Sequence, residues 1–311
     1  MKKVLVIVVA YNGMHWLQRC LSSVTALSGE VGQSLFVVDN DSTDGSADFV
    51  ASHFPQAHLV RSAENLGFTG GNNLGFRYAL DYDYDYVYLL NQDAWLAPGA
   101  LETLVAAAEA HPDFAVLSPL QMTDGYQGFD AQFAKLYPAP FTADTKSAVS
   151  VLVGTQNGVT DTKSAVSVLV GSALEPVRVK RIMAAHWLVP VAALRKIGPF
   201  AELFPYYGQD DDWCHRAHYH GYKVGVVPEA LAVHDRAQRK ESKERVIDRN
   251  YRVGSLVRLC DINRPLWERF LFVCLFTLVK AVKYRSLLPF KHFRSLCSQL
   301  PAVRAHRQAS R

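Results

Sequence analysis

The chain has 311 residues, of which 49% are hydrophobic and 20% are charged, and its formal net charge is +4. This is the composition of an ordinary globular protein with room for one large core or two smaller ones, so it excludes a largely disordered chain. Five scattered cysteines with no Cys-x-x-Cys pair argue against a disulfide framework and against structural zinc, and they favour a reducing cytoplasm.

Residues 1–120 alternate short β-rich runs with helical patterns. The apolar run in the opening "MKKVLVIVVAYNG" is too short for a secretory signal and lacks a small-residue cleavage site, so it predicts the first strand. The predicted strands are 4–10, 35–38, 57–61, 86–90 and 114–117, and the predicted helices are 14–27, 45–53, 71–80 and 98–110. This order predicts an α/β fold with a mostly parallel central sheet flanked by helices.

Polar residues follow three of these strands, in "AYNG", "VDNDS" and "NQD". Ligands of such sheets bind at the carboxyl ends of the strands. Asp93 directly follows a strand of buried type, and a buried carboxylate without a partner costs several kcal/mol. Mg²⁺ or Mn²⁺, held by one or two carboxylates and the oxygens of a diphosphate, would supply that partner. The alternative is that residues 91–93 are only a polar strand terminus.

Residues 121–180 interrupt the alternation and contain an eleven-residue repeat, "DTKSAVSVLVG", at 144–154 and 161–171. Two copies are too few to set a repeat architecture. Alternating Ser and Val predict two strands, with an Asn-Gly turn signal between them. We assign this repeat no chemistry.

The segment "QDDDW" places Asp210, Asp211 and Asp212 in the first turn of a predicted helix, where the helix dipole favours ionised acids. Capping accounts for one such acid, but three exceed what a cap requires. A base that takes a proton from a sugar hydroxyl has to be a carboxylate near the reacting carbon. His234 follows the apolar run "ALAV" as Asp93 follows "YVYLL", so the two side chains can share a metal.

Six segments in this order resemble the large inverting glycosyltransferase family two of GT-A fold, over residues 1–236: "VVAYNG", "VVDNDSTDGS", "ENLGFTGGNNLGF", "YLLNQDAWL", "YYGQDDDWCHRAHYHGYKV" and "VPEALAVHD". Within that family, "NLGFTGGNNLG" is similar to the rhamnosyltransferase-like members. The resemblance implies one catalytic domain, with a nucleotide-sugar-binding half (1–120) and an acceptor half (121–236).

The resemblance also implies roles for individual residues. The general base would be Asp210, with Asp212 as the alternative, and the metal ligands would be Asp93 and His234. Gln209 and Asn91 stand where the family more often has acids. The implied donor-binding residues are Ala10, Tyr11, Asn12, Asp39, Asn65, Gly67, Gly71, Asn72, Asn91 and Gln92, with the glycines letting the backbone approach the nucleotide. The implied acceptor residues are His186, Trp187 and Gln209.

The implied reaction is the metal-dependent, inverting transfer of a sugar from a nucleotide-sugar donor to a hydroxyl of a glycan or lipid-linked acceptor in bacterial surface polysaccharide synthesis. The leading donor is dTDP-rhamnose, and a UDP-sugar such as UDP-galactofuranose is the alternative. A third possibility is a nucleotide-sugar-binding protein that has lost catalysis.

The segment 237–311 is predicted to be a basic helical extension. Residues 261–311 contain ten Lys or Arg and two acids, which leaves the rest of the chain at −4. The apolar stretch 270–279 is well short of the roughly 20 residues that span a bilayer. The extension therefore suits either an anionic membrane surface or a docking helix on the catalytic domain, and it contains no nucleic-acid-binding module. A peripheral position on the inner face of the cell membrane follows from the first alternative.

Overall fold

The computed structural model describes residues 1–25, 31–126, 128–136, 175–236 and 242–311. The duplicated segment lies outside these residues, so its predicted strands are not described. The strands are β1 (Lys2–Ala10), β2 (Val31–Asn40), β3 (His58–Ser62), β4 (Tyr86–Asn91), β5 (Ala94–Leu96), β6 (Phe114–Met122), β7 (Val177–Val179), β8 (His186–Pro190) and β9 (Lys223–His234). The helices are α1 (Met14–Thr25), α2 (Ser46–His53), α3 (Gly67–Asp81), α4 (Ala100–Ala110), α5 (Ala131–Leu136), α6 (Val191–Ile197), α7 (Gln209–Tyr219), α8 (Lys243–Cys260), α9 (Leu266–Tyr284), α10 (Leu288–Ser298) and α11 (Leu300–Ala309).

The strands form one mixed sheet in the order β3-β2-β1-β4-β8-β6-β9-β5, with β7 also paired to β9. Strands β3, β2, β1 and β4 run parallel, whereas β8 is antiparallel to β4 and to β6. The parallel part brings the carboxyl ends of β1, β2 and β4 to one edge. The predicted α/β fold is confirmed, and β8 adds an antiparallel strand beside β4.

Strand β1 shows why helices cover both faces of the sheet. Val4, Val6 and Val8 belong to the core cluster that contains α1, α2 and α4, whereas Leu5 and Ile7 belong to the cluster that contains α3, α6 and α7. Successive side chains of a strand point to opposite faces, so a run of apolar residues serves both layers.

Helix α3 begins at Gly67, four residues before the predicted start at residue 71. The resemblance implies that the glycines of "GFTGG" let the backbone approach the nucleotide, and glycines are poor helix formers. Tertiary packing outweighs that preference, since Gly71 lies against Val9 of β1 and Gly67 lies against the Pro205 carbonyl.

The extension forms four helices that pack on the α/β part of the chain. Leu256, Val257, Val273 and Val303 form a third core cluster with Phe204, which precedes α7. Within the described residues no helix is both long enough and apolar enough to cross a membrane. The extension is thus docked on the α/β part of the chain. Docking explains the buried apolar residues of the extension, but it does not explain those that remain exposed.

Candidate active site

Three of the predicted site residues lie side by side at the carboxyl edge of the sheet. Ala10, the last residue of β1, is in register with Asp39 of β2, and Val9 is in register with Asn91 of β4. This is the edge at which open α/β sheets bind their ligands. The sheet register therefore brings Ala10, Asp39 and Asn91 together.

The loop that follows β1 is fixed by side chains from neighbouring loops. Gln92 Oε1 accepts a hydrogen bond from the Tyr11 amide at 2.7 Å, and Gln92 Nε2 donates to the Tyr11 carbonyl at 3.1 Å. Asn12 has a positive φ of 48°, and its Oδ1 accepts from the Thr43 amide at 2.9 Å. Gln92 and Asn12 therefore position this loop, whereas the Tyr11 side chain is exposed.

Asp39 is buried and has one carboxylate oxygen without a partner. Its Oδ2 accepts from the Ser42 amide at 3.2 Å, but no hydrogen bond reaches its buried Oδ1. Buried polar atoms in native proteins are almost always hydrogen-bonded, so an orphaned acceptor calls for a missing donor. An imide N–H of a pyrimidine base is a donor of the right kind.

The loop before α3 is tied to β2 and to the segment before α7. Asn65 Oδ1 accepts from Asn40 Nδ2 at 2.9 Å and from the Tyr206 hydroxyl at 3.2 Å. Gly67 has a φ of 71°, and a Cβ there would lie 2.8 Å from the Pro205 carbonyl oxygen. Both features require glycine at position 67. Asn40 and Tyr206 were not predicted as site residues, although Asn40 stands in the quoted "VDNDS" segment.

Gly71 was predicted to let the backbone approach the nucleotide, and the structure gives a different reason for it. A Cβ at Gly71 would lie 2.7 Å from Val9 Cγ1, and one at Gly75 would lie 2.6 Å from Ile7 Cδ1. These glycines let α3 lie close against β1. Asn72 is buried and donates to the Phe68 carbonyl of its own helix at 2.8 Å. The described contacts of Gly71 and Asn72 are therefore structural.

Asp93 and His234 meet at the end of the sheet, as predicted from their strand positions. Ala94 of β5 is in register with His234 of β9, and the two side chains come within 3.5 Å, from Asp93 Oδ1 to His234 Nε2. Both side chains are almost fully buried. Arg236 Nη2 lies 3.2 Å from His234 Nδ1, and the Arg236 side chain also pairs with Asp130 at 2.9 Å. Neither Arg236 nor Asp130 was predicted.

This pair fits a divalent cation. A carboxylate oxygen and an imidazole nitrogen 3.5 Å apart can both ligate one ion whose bonds are about 2.1 Å long. Arg236 can only donate, so Nδ1 of His234 accepts at this contact and the one proton of a neutral imidazole lies on Nε2. Asp93 and His234 would hold the ion only with that Nε2 deprotonated, and the Arg236 guanidinium would supply a second positive group beside it for a diphosphate oxygen.

Two of the three predicted acceptor residues are corrected by the structure. His186 is completely buried, with Nδ1 2.8 Å from the Tyr88 hydroxyl and Nε2 3.0 Å from the Val233 carbonyl oxygen. Its burial, with His234 nearby, lowers the pKa of His186 to about 3, so it is neutral. Trp187 is also completely buried and packs on Trp213. Neither side chain is available to an acceptor.

Asp210 lies in the first turn of α7, next to the strand ends. Asn91 N donates to the Ala185 carbonyl at 3.0 Å, and the Ala184 backbone hydrogen-bonds Asp210, so this segment lies between the two residues. Desolvation, and then the charge of Asp211, raise the pKa of Asp210 to about 7. A carboxylate with this pKa is a competent base near neutral pH.

The neighbours of Asp210 differ from it in their contacts. Arg181 Nη1 donates to both carboxylate oxygens of Asp211, at 2.9 and 3.1 Å. Gln209 is buried and its Oε1 has no hydrogen-bond partner, so its predicted acceptor role stays a prediction.

Asp212, the alternative base, is corrected. It is completely buried, and its oxygens accept from Arg216 Nε at 3.0 Å and from His306 Nε2 of α11 at 2.8 Å. This carboxylate faces the extension and not the donor site. No sequence pattern marks His306 as its partner, because the two residues are 94 positions apart.

Comparison with known proteins agrees with this arrangement. Residues 5–143 match the family model for glycosyl transferase family 2. The chain is 27% identical over 248 residues to an N-acetylglucosaminyl-diphospho-decaprenol L-rhamnosyltransferase of Mycobacterium tuberculosis, a match that covers 75% of this chain and 76% of that protein.

Solved structures share the fold at low identity. Staphylococcus aureus TarS 1–349 has a TM-score of 0.52 at 16% identity, over 87% of this chain and 68% of that one. GalNAc-T7 with UDP, GalNAc and Mn²⁺ has a TM-score of 0.55 at 13% identity, over 82% of this chain and 48% of that one. With the strand-end site and these comparisons in agreement, residues 5–143 resemble glycosyl transferase family 2, and the chain is a glycosyltransferase with the GT-A fold.

Proposed function

We propose that the chain transfers rhamnose from dTDP-rhamnose, with inversion, to a hydroxyl of a lipid-linked glycan in bacterial surface polysaccharide synthesis. The observation that carries the inverting mechanism is Asp210: among the three adjacent acids it alone is neither salt-bridged nor sealed in the core, and its pKa of about 7 suits a base. The rhamnosyltransferase relative, which is named for a decaprenol-linked acceptor, supports the choice of sugar and of acceptor class.

The nucleotide is proposed to bind along the strand ends. Asp39 Oδ1, which has no partner, accepts the imide N–H of a thymine or uracil base. The Tyr11 backbone, held by Gln92, and the Asn65 loop, held by Asn40, form the walls of this site. Because thymine and uracil present the same imide and cytosine has none, this contact selects a thymine or uracil nucleotide but does not discriminate between donor sugars.

The diphosphate is proposed to lie between this site and Asp93. Asp93 and His234 would hold Mg²⁺ or Mn²⁺, and the ion, when bound, takes up the charge that develops on the departing diphosphate. Arg236, adjacent to His234, adds a second positive group on the same side. GalNAc-T7, a protein of similar fold, has been solved with UDP, GalNAc and Mn²⁺.

Asp210 is proposed to take the proton of the acceptor hydroxyl as that oxygen attacks the anomeric carbon on the face opposite to the diphosphate. The bond from the anomeric carbon to the diphosphate breaks, and the configuration inverts. The reaction needs no second carboxyl to protonate the leaving group, because a diphosphate is already a good leaving group.

The test is transfer by the purified full chain to an undecaprenyl-diphospho-N-acetylglucosamine acceptor in detergent, with Mg²⁺ or Mn²⁺ present. Donors are dTDP-rhamnose and UDP-galactofuranose in parallel, and NMR gives the anomeric configuration of the product. An inverted rhamnoside is expected. Transfer from UDP-galactofuranose alone contradicts the donor, a retained configuration contradicts the role of Asp210, and binding of both nucleotides without transfer favours a binding protein.

A further inference from the structure

One face of helix α9 is apolar and unpartnered, and it continues past the end of the helix. Five side chains recur at intervals of three or four residues, which places them on one stripe about 22 Å long. They are Trp267, Leu271, Leu275, Leu278 and Val282, exposed by 70%, 52%, 54%, 50% and 78%. Leu287, exposed by 79%, follows the helix.

The opposite face of α9 shows that this exposure is not a sign of a badly placed helix. Val273 and Thr277 are 0% and 1% exposed, and the Thr277 hydroxyl contacts the Tyr251 hydroxyl of α8. Helix α9 therefore has a well-packed inner face and an apolar outer face. Contiguous exposed apolar surface of this size marks a site of interaction.

A basic cavity of about 410 Å³ lies at the N-terminal end of this stripe. It is lined by Leu266, Arg304, Arg307, Gln308 and Arg311. The Arg307 guanidinium is fixed by three backbone carbonyls, including those of Leu259 at 2.9 Å and Arg264 at 2.6 Å. Arg304 and Arg311 are exposed, and no carboxylate of the described residues forms an ion pair with either.

Basic groups also stand at the other end of the stripe, where Lys283 and Arg285 are exposed. An apolar stripe with cations at both ends is the pattern of a helix that lies in the plane of a membrane interface. A second copy of this chain would bring like charges together at the same face. An anionic phospholipid supplies acyl chains for the stripe and a phosphate for the cavity in one molecule.

We propose that the exposed face of α9 and the arginine cavity together form a docking surface for a bilayer that contains anionic phospholipids, with a headgroup phosphate in the cavity. The inference deepens the proposed function, since a lipid-linked acceptor lies in such a bilayer. The inference rests on the proposed function only for the biological role of membrane binding, and the binding itself does not depend on it. Vesicle binding is measured without donor or acceptor, so each proposal can fail while the other stands.

The experiment is co-sedimentation of the full chain with vesicles of phosphatidylglycerol and phosphatidylcholine, compared with phosphatidylcholine alone, at low and high salt. We expect at least about tenfold stronger binding to the anionic vesicles. Leu275→Glu combined with Leu278→Glu should lower that binding at least about tenfold at both salt concentrations. Arg304→Glu combined with Arg311→Glu should lower it about as much, at low salt only.

Matched controls lie far from the extension in sequence, one in α3 and one directly after it. Tyr82→Glu changes an exposed apolar side chain and Arg77→Glu an exposed basic one, so each should leave vesicle binding within about twofold of wild type. Circular dichroism shows whether each variant is folded. The four residues changed in the two test variants are exposed, so these substitutions alter the surface of the protein and leave its core intact.

Three results would overturn the proposal. The first is wild-type vesicle binding that either pair of substitutions leaves unchanged. The second is a wild-type dimer, seen by sedimentation velocity, that Leu275→Glu with Leu278→Glu dissociates while no vesicles bind; the partner is then a second copy. The third is a rise in melting temperature with inorganic phosphate that needs Arg304 and Arg311, again without vesicle binding; the ligand is then a soluble phosphate.

Discussion

Replacing Asp210 by Asn should abolish most turnover while leaving the fold and donor binding intact. Asn keeps the size of the side chain, and its Oδ1 can still accept the 2.9 Å hydrogen bond from the Asp211 amide. Loss of a general base lowers the rate by about 10²- to 10⁴-fold. Isothermal titration with the donor nucleotide should therefore give an unchanged affinity, and a saturating-donor transfer assay should give a greatly reduced kcat.

The pH dependence provides a second measurement on the same carboxyl. With a pKa of about 7, Asp210 is about one-tenth ionised at pH 6 and about nine-tenths ionised at pH 8. Wild-type kcat should therefore rise about tenfold between these values, whereas the residual rate of Asp210→Asn should not show this rise. Asp211→Asn removes the neighbouring charge that raises the pKa, so this variant should keep its activity and show the rise at lower pH.

Stability gives the third measurement. The pKa of Asp210 lies about three pH units above its ordinary value of 3.8, so the folded state loses stability relative to the unfolded state as pH rises from about 4 to 7. The full shift corresponds to about 4 kcal/mol, and partial exposure of the side chain reduces this to about 2 kcal/mol. Asp210→Asn should match wild type in urea unfolding at pH 4 and exceed it by about 2 kcal/mol at pH 8.

The assignment of Asp210 would be refuted by near-normal turnover of Asp210→Asn at saturating donor. It would also be refuted if the variant kept the pH profile of wild type. Asp212→Asn is the matched comparison in the same helix turn. Its loss of activity should follow loss of stability, because Asp212 is buried against Arg216 and His306.

Asp93→Ala should abolish the effect of Mn²⁺ on donor affinity, because it removes the carboxylate beside His234. Calorimetric titrations of this variant should give the same donor affinity with and without Mn²⁺, and a retained effect of Mn²⁺ would contradict the metal site. His306→Ala should lower the free energy of unfolding by about 1–3 kcal/mol in urea, since Asp212 loses one buried partner, and an unchanged midpoint would contradict that contact. Gly71→Ala should lower the free energy of unfolding by about 1–3 kcal/mol, because the new methyl group overpacks against Val9. Gly128→Ala should leave it unchanged, since a Cβ there meets open space. Equal urea midpoints for the two variants would contradict the packing of Gly71.

The docking of the extension also changes what a truncation should do. An extension that only touched a membrane could be removed at residue 266 without unfolding the rest of the chain. The structure places Phe204 in the extension's core cluster and His306 against Asp212, so this truncation should expose apolar surface beside α7. A cut at this point removes part of a core and not a separate tail.

The fold class was predictable because hydrophobic periodicity is local. The alternation of strands and helices in residues 1–120 gave the sheet, and strand ends gave the places of Asp39, Asn91 and Asp93, because parallel strands end at one edge. The meeting of Asp93 with His234 was predicted, but it depends on β5, a short strand beside β9 that the sequence patterns did not predict.

What the sequence could not show depends on contacts between distant segments. "GFTGG" has the composition of a loop, and its helical conformation depends on distant segments: Gly71 packs on Val9 of β1 and Gly67 packs against Pro205. His186 and Trp187 are polar or amphipathic types that suit a binding site, and their burial is decided by β4, β9 and α7 around them. Asp210 and Asp212 are equivalent in sequence pattern. Only the tertiary structure decided between them, because the helical rotation of about 100° per residue turns Asp212 towards His306 of the extension and leaves Asp210 beside the strand ends.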